Sequence, residues 1–141
     1  MQGCVTDKLM NSLRSNKDLD DILRKESENF VAQPLHEMLG EILKKKNLTR
    51  TQVIKESMLN TIYAHQIFKG TRIPSRDKII ALGFGMHLSF EEIDNLLKMQ
   101  GYARLYPQNK RDAVIIYGIL HNMHLMVVNT ALYENELETI L

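Results

Sequence analysis

The sequence predicts an all-α protein, and three observations carry that expectation. Apolar residues recur at helical spacing, N-cap signals stand at intervals along the chain, and only seven glycines and three prolines occur in 141 residues. Nothing reads as a strand. The expected architecture is a short helical N-terminal arm over 1–33, a five-helix domain over 34–101 and a helical hairpin over 102–141.

Taken in order, 1–30 is charged and only patchily apolar; Leu19, Ile22 and Leu23 predict one short helix from about Asp18, and the rest reads as a mobile arm. Pro34 suits a helix start, where its missing N–H has no helical partner in any case. Leu35, Leu39, Ile42 and Leu43 form a core-facing stripe that ends near Lys46. Thr49 to Gln52 is a capping box with Leu48 and Val53 as its hydrophobic staple, and that helix runs to about Ser57. Asn60 offers the next N-cap, Ile62 to Lys69 is helical, and Gly70 supplies a left-handed cap. Pro74-Ser75 opens a helix to about Phe84, and a second capping box, Ser89 to Glu92 with Leu88 and Ile93 as staple, opens one that ends at Gly101. After a connector containing Pro107, helices are expected near 110–121 and 125–136.

Arg76-Asp77-Lys78-Ile79-Ile80 and Gly85-Met86-His87-Leu88 are echoed by Arg111-Asp112-Ala113-Val114-Ile115 and Asn122-Met123-His124-Leu125, with a two-residue insertion. The echo reflects either chance or a structural duplication.

Net charge is +1, but its distribution is uneven: −2 over 1–39, +6 over 40–80 and −3 over 81–141. A basic middle between acidic ends suits a local polyanion-binding surface. Lys44-Lys45-Lys46 on its own reads as a solvated helix end favoured by the macrodipole. No apolar run reaches the length of a bilayer span, no signal-peptide core is visible, and the lone Cys4 has no internal disulfide partner, so a cytoplasmic location is expected.

Two short helices joined at Met58-Leu59, the second polar and bounded by Asn60 and Gly70, make a helix-turn-helix (HTH) pattern. Ala64, Ile67 and Phe68 would face inward; Asn60, Thr61, Tyr63 and Gln66 would face out, with Ile62 at the margin. Over about 35–100 the chain resembles the Cro/repressor-type, or XRE-like, HTH family. The residues that carry the resemblance are Leu48-Thr49, Val53-Ile54, Ser57, Asn60, Gln66 to Gly70, Arg72, Pro74-Ser75, Ile79, Leu82 and Leu88-Ser89. It departs from the family at three points. Met58 stands where the turn usually has glycine. Ile54 and Ala64 replace a small and a β-branched residue, an exchange that conserves volume across one helix contact. Arg50 stands where Gln is frequent.

The resemblance implies a sequence-specific transcriptional regulator that binds double-stranded DNA. Arg50, Lys69 and Arg72 would hold phosphates, and Asn60, Thr61, Ile62 and Gln66 would approach base edges, with His65 a further contact. Tyr63 either touches DNA or packs on the helix surface. Lys55, Arg76 and Lys78 read as ordinary exposed charges.

His121 and His124 with Glu134 or Glu136 lack the spacing of a metal site, His36-Glu37 lacks a second histidine, Cys4 has no identifiable base, and the methionines read as core filler. No enzyme, metal, cofactor or small-molecule effector is indicated. The apolar wealth of 110–136 is expected either to join two copies as a homodimer or to fold back on its own chain. The alternative function is an HTH-fold protein-interaction adaptor without operator binding.

Overall fold

Helix-start and helix-stop chemistry determines the architecture of the computed structural model, which describes residues 2–16, 18–25 and 33–141. Among these residues there are nine α-helices and no strand: α1 (Gln2–Arg14), α2 (Leu19–Lys25), α3 (Leu35–Lys46), α4 (Arg50–Ser57), α5 (Thr61–Lys69), α6 (Arg76–Gly85), α7 (Phe90–Met99), α8 (Lys110–Leu120) and α9 (Leu125–Glu134). None of these helices is long and apolar enough to cross a membrane. The chain divides into two compact units, Met1–Gln33 and Pro34–Leu141.

In the first unit α1 and α2 pack on each other. Asp20 and Asp21 sit in the first turn of α2, and Asp21 receives Arg24 at 2.7 Å and Lys25 at 3.0 Å. The reading of the segment before Asp18 as a mobile arm is corrected: Gln2–Arg14 is helical. Leu9, Met10 and Leu13 share one narrow stripe, too sparse to stand out among charged neighbours, and tertiary contact stabilises a short helix more than propensity does. The arm expected over 26–32 lies outside the described residues.

In the second unit the caps form where the side chains allow. Asn47 ends α3 in the left-handed region (φ 55°), its N–H directed at the Leu43 and Lys44 carbonyls. Thr49 and Gln52 close a reciprocal box at the start of α4, with Gln52 N–H to Thr49 Oγ1 at 3.2 Å and Thr49 N–H to Gln52 Oε1 at 2.9 Å. Ser89 and Glu92 repeat it at α7, at 3.2 and 3.0 Å. Met58 ends α4 at φ 60°, ψ 17°, so the turn takes the left-handed conformation with a full side chain.

One hydrophobic cluster runs from Leu39 through Val53, Ile54, Ala64 and Ile79 to Leu132 and Ile140. The segment over 102–141 therefore shares its core with 34–101, and the fold-back alternative accounts for most of its apolar surface. Ile115, Ile119, Leu125, Val128 and Leu132 are buried, and Val114, Ile116 and Leu137 pack against them. Gly85 marks the closest approach of α4 and α6: a Cβ there would lie 2.7 Å from the Val53 carbonyl oxygen.

The internal echo is a structural duplication, without the insertion. Residues 76–105 and 111–140 match at a constant offset of 35 positions (111 minus 76). The left-handed residue of each hairpin turn identifies the register: His87 (φ 54°) matches Asn122 (φ 53°), not His124. Gly83 and Gly118 match too. A Cβ on Gly83 would collide with Ile93, and one on Gly118 with Val128, the equivalent residue. The repeated Met-His-Leu letters pointed to a false register because letters do not report backbone conformation.

The two copies clasp each other reciprocally. The Arg76 guanidinium donates to both oxygens of buried Asp112, at 3.2 and 2.9 Å, and Arg111 Nη1 donates to Asp77 at 3.0 Å. Each Nε donates to a carbonyl 27 residues on (Ala103, Glu138), and each Nη2 to one 28 residues on (Arg104, Thr139). Buried Asp94 accepts the Leu105 N–H, and its counterpart Asn129 accepts the Ile140 N–H, both across 11 residues. Arg76 is thus corrected from exposed surface charge to half-buried clamp.

The two halves of the clasp differ in burial, which predicts unequal consequences. Asp112 also accepts the Tyr106 N–H, so Asp112→Ala strands a half-buried guanidinium and a backbone donor. Its expected cost is about 3–5 kcal/mol, and Asp77→Ala, which removes a less buried carboxylate that takes one bond from Arg111, is expected to cost less. Denaturant melts of the full chain measure both; equal costs would contradict this account of the clasp.

Candidate functional site

α5 has one buried and one open face because its apolar residues fall a turn apart. Ala64, Ile67 and Phe68 are buried, while Asn60, Thr61, Ile62 and Lys69 are exposed and His65 and Gln66 half-buried. Asn60 is first an N-cap, its Oδ1 accepting the Tyr63 N–H at 3.0 Å. Ile62 does not sit at a margin; it is 72% exposed, in the first turn of α5 and outside the buried set Ala64, Ile67 and Phe68. Tyr63 is half-buried against the hydrophobic cluster and also carries a cation on its ring, so packing and surface roles coexist.

The residues expected to hold phosphate are brought to α5 from three directions. Arg50 opens α4 and reaches over Phe68, its Cζ 5.6 Å from the ring centroid. Lys69 ends α5, and Arg72 returns after the Gly70 turn (φ 82°), with its Cζ 5.2 Å from the Tyr63 centroid. Gly70 is also sterically required, since a Cβ there would lie 2.6 Å from the His36 ring.

Sequence reasoning missed what Arg72 does next. Its Nε donates to Gln66 Oε1 at 3.2 Å, and the Thr71 hydroxyl donates to the Gln66 main-chain oxygen at the same distance. Tyr63 and Gln66 are neighbours at i, i+3 on one ridge, a spacing visible in the sequence. That the chain doubles back after Gly70 to lay a guanidinium across them was not.

Of the basic residues over 40–80, Lys44, Lys45, Arg50, Lys55, Lys69 and Arg72 are exposed and form no ion pair among the described residues. Lys46 is drawn to Glu92 at 3.3 Å, Arg76 lies in the clasp, and Lys78 is half-buried rather than exposed. The histidines set aside as metal ligands are otherwise engaged. His121 stacks on Tyr117 with centroids 4.1 Å apart, and His124 caps α9 by accepting the Met126 N–H.

No protein-family model, curated protein or solved structure matches the chain.

The Lys46–Glu92 contact ties the end of α3 to the start of α7. Burial works to raise the Glu92 pKa but is outweighed by the hydrogen bond from the Ser89 N–H and by the Lys46 ammonium, so the carboxyl ionises below its ordinary range. A lowered folded-state pKa contributes stability at neutral pH, and that contribution disappears as pH falls through the lowered value. Glu92→Gln, which can keep the capping box, is expected to be less stable than the parent at pH 7 and to converge with it in acid. Thermal melts from pH 7 to pH 3 check this; a constant gap would contradict it.

Proposed function

We propose that the protein is a sequence-specific DNA-binding regulator of transcription of the Cro/repressor HTH type, with α3–α7 as the five-helix domain and α5 as its recognition helix. The observation that carries this reading is the open face of α5 flanked by three exposed cations, Arg50, Lys69 and Arg72, without ion-pair partners among the described residues. A short helix of this kind enters the major groove by its N-terminal end, which here presents Asn60, Thr61 and Ile62. Arg50 at the first turn of α4 suits a phosphate, where a planar guanidinium binds two oxygens at once. Ile62 suits a thymine methyl.

One such unit makes few base contacts, so the proposal includes a homodimer on two half-sites. Leu120, Met126 and Val127, exposed around the α8–α9 turn, supply apolar surface for it. The proposed role is binding, with no catalytic step.

A second reading is a protein-interaction adaptor on the same fold. The exposure of Ile62 and of Ile73, 84% accessible in the loop after α5, favours it, since apolar side chains of that kind also suit a protein interface.

Binding of a selected duplex to the full chain separates the two. Affinity is expected to fall steeply with salt because phosphate neutralisation releases counterions. Arg50→Ala should weaken all duplexes alike and reduce the salt slope by about 1, while Gln66→Ala should relax preference at one position. Anisotropy titration with sedimentation should give two chains per duplex. Absence of binding to any duplex at low salt would transfer the argument to the adaptor reading.

A further inference from the structure

Resting on the DNA-binding reading, we infer that Gln66 and Arg72 act as one base-reading unit that selects guanine, with Arg72 a specificity residue rather than a phosphate clamp. The argument begins with hydrogen-bond polarity. A guanidinium can only donate, so the Gln66 group facing Arg72 Nε at 3.2 Å must be its carbonyl oxygen. That fixes the orientation of the carboxamide and turns its NH2 away from Arg72.

The guanidinium is positioned as well. Arg72 lies over the Tyr63 ring at 5.2 Å, and its Nη1 and Nη2 have no partner among the described residues. Tyr63 is itself held against the hydrophobic cluster, so the platform is anchored in the fold. The result is a pair of unpartnered donors, the two Nη groups of Arg72, held next to Gln66 with the Gln66 NH2 directed elsewhere.

In the major groove only guanine offers two adjacent acceptors, O6 and N7. Adenine sets an amino donor beside N7, cytosine presents a donor, and thymine a single acceptor beside a methyl. A free glutamine reads adenine by using its carbonyl and its amide together. With one lone pair of that oxygen held by Arg72 and two free Nη donors next to it, a base with two adjacent acceptors is met best, and the preference moves to guanine. Tyr63, which does not itself need to touch a base, is a positioning residue here.

The test uses the full chain, a library of randomised duplexes and three variants, Arg72→Ala, Arg72→Lys and Tyr63→Leu. Arg72 is exposed and Arg72→Lys keeps its charge, so circular dichroism melts should match the parent. The parent is expected to select dG at one position of each half-site. Arg72→Ala should move that position towards dA, as Gln66 regains its carbonyl. Arg72→Lys and Tyr63→Leu should lose discrimination there by about tenfold. Replacing the selected dG by 7-deaza-dG removes an acceptor and should weaken the parent about tenfold while leaving Arg72→Ala unchanged. If the Arg72 variants bind every duplex more weakly with preferences intact, Arg72 is a phosphate contact and this inference fails while the DNA reading stands. If the parent binds no duplex at low salt, both fail.

Discussion

Asp112 is a buried carboxylate, and a buried charge is tolerated only when it is paired and hydrogen-bonded. Three protein donors meet it: both Nη groups of Arg76 and the Tyr106 N–H. Because Arg111 returns a single bond to Asp77, the second helical hairpin is held at an angle where both pairs close. That angle lays α8 against α7 and α9 against α6. It also covers a face of α6 whose other side receives α4 across Gly85, and α4 in turn supports α5. The open face of α5 therefore rests on a chain of contacts that ends in an ion pair whose partners lie 36 residues apart in sequence.

The duplication gives this arrangement its economy of means. One hairpin design, with a small residue where its helices cross and a left-handed residue in its turn, is used twice. The copies differ where their neighbours differ: Asp94 is paired with Arg104, whereas its counterpart Asn129 is neutral and the position equivalent to Arg104 is Thr139. Removing the charge where no arginine is available avoids an unpaired carboxylate at a half-buried position.

Local chemistry made much of the fold legible. A threonine followed three residues later by glutamine, or serine by glutamate, satisfies helix-end donors wherever it occurs, so the starts of α4 and α7 could be read directly. Gly70 and Asn60 were readable for the same reason. Arg76 was not, because whether an arginine faces water or a carboxylate depends on residues that only the tertiary fold brings near. α1 was obscured by a sparse stripe, and the true repeat register by a chance recurrence of Met-His-Leu. At the candidate site the polar face of α5 followed from helical period. The pairing of Gln66 with Arg72 did not, since it depends on the path of the chain after Gly70.

On the proposed reading, the open face of α5 with Arg50 and Arg72 beside it is where the 34–141 unit meets DNA. Hydrogen–deuterium exchange of the full chain with and without a selected duplex tests it most directly, because it maps contact without altering a residue. Protection over 48–72 on adding duplex, with the amides of 111–120 left unchanged inside α8, is the result this account predicts. Protection absent from α5, or centred on the second hairpin, would contradict it.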